Sequence, residues 1–128
     1  MRILPVAMLV AAITPGALAA RDSATIEQAL AGRTAGPPRS CIPEPQIDDS
    51  ETFASGAILY RMKGGPDYLN TVADCSGILR RDTVISTRTP SSSLCRGDIL
   101  HVSDRVSHAE LGSCGLGDFI PYARVKKP

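Results

Sequence analysis

The chain has 128 residues, with 14 Lys and Arg against 13 Asp and Glu, no Trp, and aromatic residues at 4%. A charge this close to balance gives no electrostatic ground for nucleic acid or an anionic membrane as partner. The scarcity of large aromatic side chains predicts a modest core, to whose stability covalent cross-links would matter.

The first predicted element is a leader. Arg2 precedes an apolar run over 3–13, a Pro15-Gly16 break and the small-residue site Ala17-Leu18-Ala19, which together read as a secretory signal peptide spanning 1–19. Cleavage after Ala19 makes Ala20 the mature N-terminus. The run is shorter than the roughly 20 residues of a membrane-spanning helix, so no stable membrane insertion is expected after cleavage. Because no cysteine follows the cut, no lipid anchor is expected either. Removing Arg2 leaves 13 basic and 13 acidic residues, in a mature chain of about 110 residues, enough for one compact domain.

Residues 23–31 are good helix formers, with Asp22 or Ser23 as N-cap and Gly32 where a C-terminal cap belongs. The Pro- and Gly-containing stretch 35–40 forbids regular structure and reads as a linker, so 20–40 is expected to be a short helix plus linker. From Cys41 the pattern changes to short β-like runs. Ile42 and Ile47, separated by Pro43 and Pro45, suit an irregular edge strand. The alternation over 57–63 sets Ile58, Tyr60 and Met62 on one face against Leu59, Arg61 and Lys63 on the other. Gly64-Gly65-Pro66-Asp67 then turns the chain into 68–72, the strongest hairpin signal present. Further strands are predicted over 83–89, over 98–104, where Leu100 and Val102 share a face, and over 118–124. The fold expectation is mainly β, a small antiparallel barrel or sandwich with a short N-terminal helix, stabilised by disulfides over 41–128.

The four cysteines, Cys41, Cys75, Cys95 and Cys114, lie far from the paired spacing of a zinc site, and an oxidising compartment makes them a disulfide framework. Four cysteines allow three pairings, among which sequence does not choose. The nested arrangement, Cys75 with Cys95 and Cys41 with Cys114, is the preferred expectation.

Candidate chemistry is thin. His101, Asp104 and His108 supply metal-ligand types within eight residues, yet on an extended strand positions 101 and 104 point to opposite faces. Polar residues at the end of a strand and in the loop after it are the plainer reading. Ser91-Ser92-Ser93 lacks a nucleophile elbow and reads as a loop, and Asp48-Asp49 with Glu44 and Glu51 reads as a solvated surface. Arg96-Gly97-Asp98 matches an adhesion tripeptide but suits the turn from Cys95 into the next strand, and Gly115-Leu116-Gly117-Asp118 likewise reads as a turn. No catalytic residue and no cofactor is assigned.

The succession Cys41-Ile42, Tyr68-Leu69-Asn70, Asp74-Cys75, Leu94-Cys95-Arg96-Gly97-Asp98-Ile99 and Cys114-Gly115-Leu116-Gly117-Asp118-Phe119 resembles a family of small secreted bacterial proteins of unknown function. Their recurring pattern is Cys-Ile, Tyr-x-Asn before a second cysteine, Leu-Cys-x-x-Asp-x-Ile and a closing Cys-x-Leu-Gly-x-Phe. The likeness covers 41–121, with a departure at Thr71-Val72-Ala73-Asp74, where Leu-Pro and small residues are expected. It implies a shared compartment and domain and transfers no functional residue. The expectation is a periplasmic or secreted, non-catalytic binding module whose partner is a periplasmic or envelope protein. The alternative is a small periplasmic hydrolase or metal-dependent enzyme using His101 and His108.

Overall fold

A computed structural model describes residues 26–80, 83–89 and 91–124. The signal peptide, Ala20 and the proposed N-cap at Asp22 or Ser23 lie outside the described residues. The described chain is mainly β, as the alternation implies. Nine strands follow in order: β1 Cys41–Pro43, β2 Ile47–Phe53, β3 Ala57–Met62, β4 Asp67–Thr71, β5 Thr83–Thr87, β6 Ser93–Cys95, β7 Ile99–Asp104, β8 Glu110–Gly115 and β9 Phe119–Tyr122. They form three antiparallel sheets: β2-β3-β4-β9, β5-β7-β8 and the pair β1-β6. These do not close into a barrel.

The β3–β4 hairpin is the centre of the larger sheet, and the period of two explains its burial. Ile58, Tyr60 and Met62 enter the main core with Tyr68 from β4, Phe119 from β9, Ile42 and Leu94 from the β1-β6 pair, and Leu100 and Val102 from β7. Each fully buried aliphatic side chain there contributes roughly 1.5–3 kcal/mol. On the opposite face Leu59 is buried too. With Phe53 and Ala57 it forms a second cluster, covered by Ile26, Ala29 and Leu30. These covering residues belong to the predicted N-terminal helix. Helical geometry runs over 26–29, the Leu30 amide donates to the Ile26 carbonyl at 3.1 Å, and Gly32 ends the turn at φ 74°. That left-handed conformation is why a glycine stands there.

The Pro/Gly stretch read as a linker lies along the outer edge of β9. The Gly36 amide donates to the Pro121 carbonyl at 2.8 Å, and Arg39 and Phe119 exchange amide and carbonyl bonds, each 2.8 Å. Prolines prevent a continuous ladder, but the intervening amides still satisfy the sheet edge.

Both disulfides differ from the nested expectation. Cys41 bonds Cys95, and Cys75 bonds Cys114, so the two loops interleave. The cause is topological. Cys41 and Cys95 are register partners in the β1-β6 pair, with Cα atoms 4.0 Å apart. The 3-10 turn Ala73–Cys75 after β4 brings Cys75 against β8, where Cys114 points inward. Neither relation is visible in cysteine spacing.

Candidate functional site

Three polar constellations stand out among the described residues, and the first two fasten strands together. Asp67, which opens β4, is 2% exposed. Its Oδ2 accepts from Arg33 Nη1 at 2.6 Å, while Oδ1 accepts from Arg124 Nη2 at 2.9 Å and from the Met62 amide at 3.1 Å. Arg124 also donates to the Met62 carbonyl. Burial pushes the Asp67 carboxyl up, but the hydrogen bonds from Arg33, Arg124 and the Met62 amide outweigh it and hold the group below the usual carboxylate range. The node ties the segment after the helix, the hairpin turn and the chain beyond β9 to one carboxylate. In the sequence Asp67 is only a turn residue, because its arginines lie 34 and 57 positions away.

Asn70 is the second fastening. Fully buried in β4, it accepts from the Gly117 amide and donates to the Gly117 carbonyl, each at 2.9 Å. The side-chain amide thus pairs with the β8–β9 turn as a peptide group would, giving the Tyr-x-Asn segment and the Gly-Leu-Gly turn a joint structural reason. Leu116 of that turn is buried in the main core.

The third constellation is the set His101, Asp104 and His108. His101 in β7 faces Glu110 of β8, Nδ1 to Oε1 at 3.4 Å, and is exposed. Asp104 Oδ1 accepts from the Val106 and Ser107 amides, both at 2.9 Å, closing the β7–β8 turn. Those backbone bonds, Ser107 first and Val106 next, hold its carboxyl below the ordinary range. His108 sits at φ 60° in the same turn, its amide donating to the Asp104 carbonyl at 3.0 Å. Among the described residues no group of three or more His, Cys, Asp or Glu side chains is placed to hold a metal ion. The strand geometry separates His101 from Asp104, and the turn engages the Asp104 carboxylate and the His108 backbone amide.

The other motifs are also turns and strands. At Arg96-Gly97-Asp98 the Cys95 amide donates to Asp98 Oδ2 at 2.7 Å and Gly97 adopts φ 87°, the freedom that requires glycine. The acidic run at 48–51 belongs to β2 and is not merely a solvated surface. Arg61 of β3 bonds Asp49 at 3.1 Å and also bonds Glu51. Ser93, the last residue of the serine run, opens β6.

The outward face of β5-β7-β8 was not singled out by sequence reasoning. Register places Val84 beside Ser103, Ser86 beside His101, and Ile99 beside Gly115. Val84 and Ile99 are 46% and 50% exposed, among small and hydroxylic neighbours, and Val106 in the adjoining turn is 84% exposed. The signal was present in the alternation: with Leu100 and Val102 inward, Ile99 must face out.

Comparisons with protein-family models, curated proteins and solved structures find no match for this chain. Among the described residues no helix is long and apolar enough to cross a membrane. The two disulfides are consistent with an oxidising, extracellular location.

Proposed function

We propose that this chain is an exported, non-catalytic binding module of the cell envelope, periplasmic or secreted, that recognises a protein or envelope component through the outward face of β5-β7-β8. The observation that carries this reading is the pairing of exposed Val84 and Ile99 with small neighbours on a sheet whose other face is pinned to the core by Leu100, Val102 and the Cys75–Cys114 bridge. A rigid face that carries two exposed apolar side chains loses little freedom on association, which favours recognition. The leader-like start at Arg2 and the two disulfides support export. Kinship over 41–121 with small secreted bacterial proteins belongs to the same proposal. No observation favours the alternative of an enzyme using His101 and His108, since His101 is paired to Glu110 and His108 is held by its turn.

Affinity capture from periplasmic extract tests the reading, with the native domain set beside a Val84→Asp/Ile99→Asp variant. The expected result is a stoichiometric partner retained by the native protein and lost by the variant. Recovery of no partner, or equal recovery by both, overturns it.

A further inference from the structure

The two bridges meet solvent very differently. Cys75 and Cys114 are buried inside the main core, whereas Cys41 is exposed and Cys95 half-buried. The period of two puts them there. In the β1-β6 pair Ile42 and Leu94 are register partners, 1% and 2% exposed, and they carry the inward face, so the adjoining cysteines turn outward.

The positions of Cys41 and Cys95 are held by bonds that involve no sulfur. The Arg96 amide donates to the Ser40 carbonyl at 2.6 Å, and the Glu44 amide donates to the Ser92 carbonyl at 2.9 Å. Bonded and non-bonded pairs alternate along an antiparallel ladder, which makes Ile42 and Leu94 the bonded pair between these two. Cys41 and Cys95 are then a non-bonded pair, the kind whose opposed side chains stand closer. Both ends of the β1-β6 pair are fixed as well. Arg39 exchanges backbone bonds with Phe119 just before β1. Just after β6 the Gly97 amide donates to the Leu116 carbonyl, and the Leu116 amide to the Asp98 carbonyl, each at 2.9 Å. Opening the S–S bond therefore leaves in place the contacts that set the two cysteines opposite each other.

We propose that the Cys41–Cys95 bridge is a reversible thiol-exchange site whose co-reactant is an accessible protein dithiol, two cysteines close together in one partner chain, and that the domain stays folded in both redox states. Exchange requires a thiolate to reach a disulfide sulfur, and Cys41 lies on the solvent side of the bridge. One thiolate of the partner attacks Cys41 Sγ. The Cys41–Cys95 bond breaks, a mixed disulfide forms, and Cys95 leaves as a thiolate and takes a proton. The partner's second thiolate then attacks the partner sulfur of the mixed disulfide and releases Cys41, which is protonated in turn. The domain has gained two electrons and two protons, and the partner dithiol has lost both to become a disulfide. The step is stoichiometric, one dithiol for each domain. In the reverse direction the ladder presents the two thiols to each other, so closure is intramolecular and returns the same pair. Burial keeps the Cys75–Cys114 bridge out of the exchange. The site lies apart from the outward face of β5-β7-β8, and its test does not bear on that reading.

The probe is the synthetic dithiol peptide Ser-Cys-Gly-Gly-Cys-Ser, equilibrated with the oxidised mature domain at graded ratios of its reduced and oxidised forms. Acid quenching, alkylation and peptide mapping read each cysteine, and amide hydrogen exchange reads the fold. The expected result is that Cys41 and Cys95 open and close together while Cys75 and Cys114 stay bonded. Amide exchange at Ile42 and Leu94 should differ by less than about two-fold between the two states. Reoxidation should restore the Cys41–Cys95 pairing alone. A brief pulse of the single-cysteine peptide Ser-Ala-Cys-Ala-Ser should leave its adduct on Cys41 in roughly five-fold excess over Cys95. Opening of both bridges together, loss of protection at Ile42 and Leu94 on reduction, reoxidation to mixed pairings, or an adduct shared equally by the two cysteines overturns the proposal.

Discussion

The two disulfides fasten very different parts of the molecule. Cys75 and Cys114 are 0% and 5% exposed and lie within the main core, where they join the turn after β4 to the smaller sheet. Cys41 is exposed and Cys95 half-buried, at corresponding positions of a two-stranded pair whose hydrogen bonds already set its register. On the chain-entropy model their loops, separated by 54 and 39 residues, are nearly equivalent, at about 4 kcal/mol each. The difference therefore lies in the folded state. Removing the inner bridge also leaves a defect in close-packed surroundings, whereas removing the outer one frees a short peripheral pair.

The largest expected effect follows directly. Replacing Cys75 and Cys114 together by alanine should lower stability by about 5 kcal/mol, enough to unfold a domain of this size at ambient temperature. Replacing Cys41 and Cys95 by serine should cost about 2–4 kcal/mol and leave a folded protein. Urea unfolding separates the two cases, and equal losses would show that burial contributes nothing to the contrast. Under limiting dithiol, with alkylation and peptide mapping, Cys41 and Cys95 should be labelled first, because exchange requires access to sulfur.

Noncovalent fastenings sharpen the same contrast. Asn70→Ala should destabilise by about 2–4 kcal/mol, since it removes two hydrogen bonds and strands both Gly117 groups. Asp67→Asn should cost about 2–3 kcal/mol, below the full range for a broken buried pair because Arg124 is half exposed. The node also has a pH signature. The folded Asp67 carboxyl titrates below its unfolded value, so its contribution is present in full above about pH 5 and is lost as pH falls through the ordinary carboxylate value toward the lower folded one. Acid titration of stability should be flatter in Asp67→Asn than in the native protein.

The smallest effect is expected at Tyr60. Its ring packs against Phe119 with centroids 5.8 Å apart, and its buried hydroxyl has no hydrogen-bond partner among the described residues. Burial pushes that hydroxyl's pKa up. Tyr60→Phe keeps the packing and removes an unsatisfied polar group, so it should be neutral or stabilising by up to about 1 kcal/mol. A loss above that in urea unfolding would reveal a bond to the hydroxyl.

What could be read from the sequence was whatever depends on neighbours along the chain. The β3–β4 hairpin, the inward pair Leu100 and Val102, and the helical turn ending at Gly32 all follow from local alternation or capping. The acids of β2 resembled solvated surface because their counterpart, Arg61, is reached only once β2 and β3 pair. β8 carries Gly112 and Gly115 and has little strand character of its own; β7 and the Cys75 bridge position it. Disulfide pairing, the Asp67 node and the Asn70 contact each join residues from 34 to 57 positions apart. Periodicity carries no information about such meetings.

Interleaving also decides how the domain tolerates being nicked. A protease that cut after Lys63 and again after Arg105 would leave three pieces, holding Cys41, then Cys75 with Cys95, then Cys114. The observed bridges chain all three into one covalent body, whereas the nested arrangement would have released the middle piece.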